Sequence, residues 1–158
     1  MGKGILENLY HVAIAVRNID EVEKLFETAL GLRVEHREVV EDQGVRTSML
    51  VPEKGGTALE LLEPLNSESP ISKFLDKRGE GIHHICFLVD DIEAALERLK
   101  RDGVKLIDET PRPGSYHSRV AFIHPKAMNG VLIELAELDK DVSSPSLLNT
   151  RGIHLKKK

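Results

Sequence analysis

Tyr10-His11-Val12-Ala13-Ile14-Ala15-Val16 and His83-His84-Ile85-Cys86-Phe87-Leu88-Val89 decide the fold, because they are one pattern written twice. The first copy runs on into Asn18-Ile19-Asp20 and the second into Asp91-Ile92-Glu93. His11 and His84 stand 73 residues apart. Further on, Glu60-Leu61-Leu62-Glu63 and Glu134-Leu135-Ala136-Glu137 stand 74 apart. A duplicated fold with pseudo-two-fold symmetry brings one histidine and one glutamate from each half to a common point. Two imidazoles and two carboxylates so gathered make a metal site.

Working outward, residues 9–16 alternate and are rich in Val, Ile and Ala, which predicts a strand. Asn18 or Asp20 caps a helix through about Leu30, with Val22, Leu25, Phe26, Ala29 and Leu30 at helical spacing and Gly31 as its stop. Strands are expected over 34–40, 45–51 and 57–62, separated by turns at Asp42-Gln43-Gly44 and Pro52 to Gly56. The linker of about 66–81 holds a brief helix, Pro70 to Asp76, capped by Ser69. The order then repeats: strand 82–89, a helix from Asp91 to Arg101 ended by Gly103, and strands over 104–107, 118–122 and 130–136. The prolines and glycine of 108–117 predict a loop. The fold class is α+β: two tandem βαβββ modules, about 8–65 and 82–138, in a single domain of residues 1–140. A tail, 141–158, is expected to be poorly ordered.

Composition sets limits. Hydrophobic residues at 41% and charged residues at 30% describe an ordinary globular chain. A net charge of −4 argues against nucleic acid as a partner, since phosphate binding needs a basic face. No apolar run approaches the roughly 20 residues of a membrane span, so no membrane partner is expected. Met1-Gly2-Lys3-Gly4 lacks a secretory apolar stretch, and one cysteine, Cys86, forms no internal disulfide; both point to the cytoplasm.

Alternation places the site. His11, Ala13 and Ala15 share one strand face, and His84, Cys86 and Leu88 share the equivalent one. The small residues beside each histidine leave room for a ligand. His84 therefore belongs in the cleft, and His83 falls on the helix-packing face or at the strand mouth. A lone histidine on a half-apolar strand is ordinarily a packed or surface residue. Glu60 and Glu134, each between aliphatic neighbours, are odder, because burying an unpaired carboxylate is costly. Recurrence at matched positions favours metal binding over the bland alternative. His36, His117 and His154 read as surface or loop residues, and Cys86 as a small buried one. His124 opens a turn and is either that or a substrate contact.

These residues resemble the vicinal oxygen chelate (glyoxalase/bleomycin resistance/dioxygenase) superfamily and, within it, the methylmalonyl-CoA epimerases. The resemblance spans about 8–138 and is carried by Gly81 to Ile92, His124-Pro125-Lys126, Gly130 to Leu135, Glu60 to Leu65 and Ser69-Pro70-Ile71. It implies a cupped mixed sheet around one divalent metal ion per chain, such as Co, Mn or Zn. His11, Glu60, His84 and Glu134 match the ligands, although some members carry glutamine at the position of Glu60. It also implies a homodimer acting on methylmalonyl-CoA. One departure is notable: some epimerases place a glutamate, proposed as a base, where this chain has Thr47.

The expected reaction is epimerisation at C2 by proton transfer, with the metal stabilising the developing enolate. Glu134 is the candidate base on one face, and Glu60 or a water on the other. Lys126, Arg119, Thr47 and the loop from Arg112 to His117 are candidate substrate contacts, each equally readable as a surface group. The alternatives are a glyoxalase-type lyase or isomerase acting on a thiol adduct, and a non-enzymatic small-molecule binding protein of the same fold.

Overall fold

The computed structural model describes residues 2–142. The tail from 143 onward, with His154, lies outside the described residues. The first module runs β1 (Leu9–Ala15), α1 (Ile19–Leu30), β2 (Arg33–Val40), β3 (Val45–Val51) and β4 (Ala58–Pro64). After α2 (Pro70–Arg78) come β5 (Gly81–Leu88), α3 (Ile92–Arg101), β6 (Arg112–Pro113), β7 (Ser118–Ile123) and β8 (Ile133–Leu138). They form one eight-stranded mixed sheet in the order β2-β3-β4-β1-β5-β8-β7-β6. Read from its middle, β1 answers β5, β4 answers β8, β3 answers β7 and β2 answers β6. The duplication seen in the sequence is thus a symmetry of the sheet.

Each helix begins where a polar acceptor meets its exposed N–H groups. Asn18 Oδ1 accepts from Glu21 N–H at 3.2 Å, and Asp91 Oδ1 accepts from Ala94 N–H at 2.9 Å. A second acceptor comes from the repeated glutamate motif. Glu63 Oε2 accepts from Ile19 N–H at 2.7 Å, and Glu137 Oε2 accepts from Ile92 N–H at 2.8 Å. The two glutamates of each Glu-x-x-Glu run therefore face opposite sides of the sheet. The first points into the concave side, and the second stabilises the positive end of its module's helix. Gly31, at φ 68°, ends α1 in the left-handed region that favours glycine.

Apolar residues fill both sides of the sheet. Beneath α1, Val16, Leu50 and Leu61 pack with its Ile19, and beneath α3, Ala121, Ile123 and Leu135 pack with its Leu96. On the concave side, Cys86, Leu88, Met49, Val120 and Ala136 form one cluster, while Ala13, Ala15 and Leu62 pack against Ile71 and Leu75 of α2.

Three sequence expectations are corrected. The strand expected over 104–107 reduces to a single bridge, Leu106 to Ile123, and the outer position goes to the two-residue β6 inside the expected loop. Pro111 and Pro113 carry no N–H and cut that strand short. β8 begins at Ile133 rather than at Gly130, because Asn129 and Gly130 take positive φ values of 52° and 88° at the end of a 3-10 turn. On α1, Leu25 and Leu30 are exposed at 56% and 61%; the helix packs instead through Ile19, Val22 and Phe26.

Candidate metal centre and substrate cavity

The parallel pairs β1–β4 and β5–β8 bring the repeated residues together. Ala13 is opposite Glu60 on β4, and Cys86 is opposite Glu134 on β8, while β1 and β5 run antiparallel between them. His11 Nε2 lies 3.2 Å from His84 Nε2, 3.7 Å from Glu60 Oε1 and 3.4 Å from Glu134 Oε1. His84 Nε2 lies 3.6 Å from Glu134 Oε1. All four side chains are buried, at 3–7% exposure.

That spacing fits a divalent ion. Donors about 2.1 Å from one cation sit roughly 3.0–3.4 Å from one another in octahedral or tetrahedral shells. The separations from His11 Nε2 are at or just above that range, while Glu60 and His84 come within only 4.8 Å of one another, so Glu60 is the side chain that would have to move inward. Cys86 also approaches His11 and Glu134, but burial pushes its thiol far above the ordinary value, and a neutral thiol is a poor ligand.

The electrostatics agree with a site built for positive charge. Burial opposes ionisation of Glu134, yet the neighbouring imidazoles of His84 and His11 outweigh it and hold its carboxyl well below the usual range. Burial likewise opposes protonation of His11, but Glu60 and Glu134 outweigh it and raise its pKa.

Around these groups opens a cavity of about 370 Å³. Its wall includes the turn at Gln43-Gly44, Thr47, Ser69, Arg112, Ser115 and Phe122. Ser115 Oγ donates to Glu60 Oε2 at 3.4 Å, tying the loop after β6 to the carboxylate. Thr47, at the position where some epimerases carry an acid, is 5% exposed, and its hydroxyl reaches only the Glu38 carbonyl at 3.5 Å. Arg112 is the one arginine or lysine among the described lining residues; its guanidinium lies over the Phe122 ring at 5.5 Å and pairs with Asp108 at 3.3 Å.

The structure does not bring Arg119 or Lys126 to this cavity. Arg119 bridges Glu93 and Glu137, each at 2.8 Å, and so braces α3 against β8. Lys126 is exposed on a 3-10 turn capped by His124, whose Nδ1 accepts the Lys126 N–H at 3.1 Å. His36 pairs with Glu38 at 3.1 Å, and His117 is exposed.

Among the lining residues that the sequence reading did not assign to the cavity are Tyr10 and His83, the latter expected on the helix-packing face or at the strand mouth. Each is the extra residue of a β-bulge. On β1 the pairing passes from Leu9–Phe87 to His11–Cys86, which leaves Tyr10 over; on β5 it passes from Ala13–His84 to Ile14–Ile82, which leaves His83 over. A bulge re-aims a side chain that strict alternation sends to the other face. The only sequence signal was the matched placement of a ring residue directly before each cavity histidine.

A family model described as the Glyoxalase/Bleomycin resistance protein/Dioxygenase superfamily matches residues 10–122, and the chain belongs to that superfamily. A mitochondrial methylmalonyl-CoA epimerase of Dictyostelium discoideum is 43% identical over 138 residues, covering 87% of this chain and 82% of that protein. The crystal structure of methylmalonyl-CoA epimerase from Mycobacterium tuberculosis matches with a TM-score of 0.84 at 40% identity, over 88% of this chain and 93% of that one. A methylmalonyl-CoA epimerase in complex with methylmalonyl-CoA and NH4+ matches at 0.81 and 38%, over 88% and 99%. Within the superfamily, the chain falls in the family of the methylmalonyl-CoA epimerases.

Proposed function

We propose that the protein interconverts the two C2 epimers of methylmalonyl-CoA. The observation that carries this reading is the convergence of Glu60, His84 and Glu134 on His11, whose Nε2 lies 3.2–3.7 Å from an atom of each, at the floor of a cavity. These four residues would hold a divalent ion such as Co, Mn or Zn. When bound, it would supply Lewis acidity to the substrate's carbonyl and carboxylate oxygens, worth several kcal/mol.

The chain's own groups carry the proton. Glu134 Oε1 faces the imidazole pair, which leaves Oε2 as the oxygen to take the C2 proton. An ionised Glu134 suits that role, since only the anion accepts a proton. Glu60 stands across the pseudo-two-fold axis, with the Ser115 hydroxyl on its Oε2, and would return to the other face a proton that it has first taken up from solvent. Thr47 has no acid to offer, so the second base falls to Glu60 or to water. The cavity accommodates an acyl group rather than a whole coenzyme, so the CoA arm leaves through the mouth. Arg112 is the nearest fixed positive charge for an anionic part of the substrate.

The same reading takes the molecule as a homodimer in the cytoplasm. No helix among the described residues is long and apolar enough to cross a membrane. The test of the activity is solvent exchange. Metal-loaded protein incubated with methylmalonyl-CoA in deuterated water should place deuterium at C2. Chelation and His84→Ala should each abolish it. No incorporation with any of the three metals refutes the assignment.

A further inference from the structure

We propose that His83 is a positioning residue: from a β-bulge it fixes the tautomer and orientation of the metal-donor ring of His84. The inference rests on reading His84 as a metal donor, although its first test needs no metal. Strict alternation along β5 sends His83 away from the cavity. The bulge turns it back, and its Nδ1 lies 2.9 Å from His84 Nδ1, within N–H···N hydrogen-bond range.

The direction of that bond follows from the other side of the ring. His84 Nε2 faces His11 Nε2 at 3.2 Å and Glu134 Oε1 at 3.6 Å, so it is the nitrogen that must keep a lone pair to act as donor. A neutral His84 then carries its proton on Nδ1, and His83 Nδ1 is the acceptor. His83 therefore holds its own proton on Nε2. Metal-bound histidines usually hand their second N–H to such a partner, which sets ring angle and ligand basicity. Here the partner is itself anchored. Phe74 of α2 meets the His83 ring edge-on at 4.9 Å and 75°, with the Arg78 guanidinium 5.8 Å from the Phe74 ring centre. The helix between the two modules thereby orients a ligand of the second.

The first half does not repeat this device. His11 Nδ1 is buried with no hydrogen-bond partner, and the bulged neighbour Tyr10 offers only its ring face at 5.0 Å. One imidazole is aimed by a hydrogen bond and the other by packing.

The wild-type, metal-free protein decides the first point. Long-range 1H–15N correlation at alkaline pH should show His84 protonated on Nδ1. Finding it protonated on Nε2 overturns the proposal without any variant. His83→Phe keeps a ring against Phe74 and removes the acceptor. It should move His84 toward the other tautomer and weaken cobalt(II) affinity by about 10- to 100-fold, with the melting temperature of the metal-free form unchanged. His83→Gln, whose amide oxygen accepts, should recover most of that affinity. Equal cobalt(II) affinity in His83→Phe and wild type overturns the assignment. A wild type that binds no cobalt(II) sinks the metal reading instead, and the His84 tautomer still judges His83.

Discussion

A divalent ion added to the metal-free protein should raise its melting temperature by a fixed amount for each decade of concentration. The four candidate donor side chains are buried, and both carboxylates and the His84 imidazole come within 3.2–3.7 Å of His11 Nε2, an arrangement that the unfolded chain does not possess. An ion that binds only the folded state stabilises it by RT ln(1 + [L]/Kd), or about 1.4 kcal/mol per decade once the site saturates. For a chain of 158 residues, each kcal/mol moves the midpoint by about 2–4 °C. One ion per chain therefore gives a slope of about 3–6 °C per decade. Differential scanning fluorimetry across four decades of cobalt(II) or manganese(II), with chelator as baseline, measures it. The slope should vanish in the His11→Ala, His84→Ala double variant. A slope of zero in wild type, or the same slope in the double variant, refutes the four-residue site. Twice the slope would mean a second ion that the geometry does not provide.

Glu134→Gln keeps the donor oxygen but removes the anion, so exchange of the C2 proton should fall by at least about 100-fold while the fold remains, read by deuterium incorporation. Leu61→Ala empties a fully buried position under α1 and should cost about 2–5 kcal/mol in urea unfolding. Glu137→Ala removes the acceptor at Ile92 N–H and one arm of the Arg119 bridge, and should cost about 1–2 kcal/mol by the same measurement. The pair of Glu23 with Arg37, at 2.8 and 2.9 Å, makes a pH prediction. Burial pushes the Glu23 carboxyl up, but Arg37 outweighs it and holds the pKa below its ordinary value. A lowered carboxyl pKa adds stability above the unfolded value and loses it as pH falls through the folded one. The deficit of Glu23→Gln, about 1 kcal/mol because Arg37 is half-exposed, should be constant above pH 5 or so and shrink below about pH 4.

The strands that carry the two candidate ligand histidines were readable because one of their faces is small and the other aliphatic, and alternation then assigns His11 and His84 to the cleft. The helix starts were readable because Asn18 and Asp91 cap them by local hydrogen bonds. What sequence concealed was set by partners distant in the chain. The expected strand at 104–107 is decided by prolines in the segment that should have paired beside it. The stripe on α1 marked Leu25 and Leu30 as apolar without revealing that both stay exposed while Val22 and Phe26 pack on the sheet. A bulge is a property of a pairing, so the one trace of Tyr10 and His83 in the sequence was a ring residue directly before each cavity histidine. The glutamate repeat was visible, but its division of labour was not: Glu60 and Glu134 face the cavity, while Glu63 and Glu137 hold the helices.

The two bulges have a joint consequence for how the halves stay aligned. The bulge at Tyr10 shifts β1 against β5 by one residue, and the bulge at His83 shifts it back, so pairing beyond the site resumes the register it had before. They behave as a matched pair of dislocations, with the ligand-bearing segment held one step out of phase between them. A deletion at either bulge alone would leave the offset uncancelled and turn every side chain on one side of the seam to the wrong face. Joint deletion would restore unbroken pairing, and with it a sheet that folds smoothly while no longer presenting two rings at each end of its central gap.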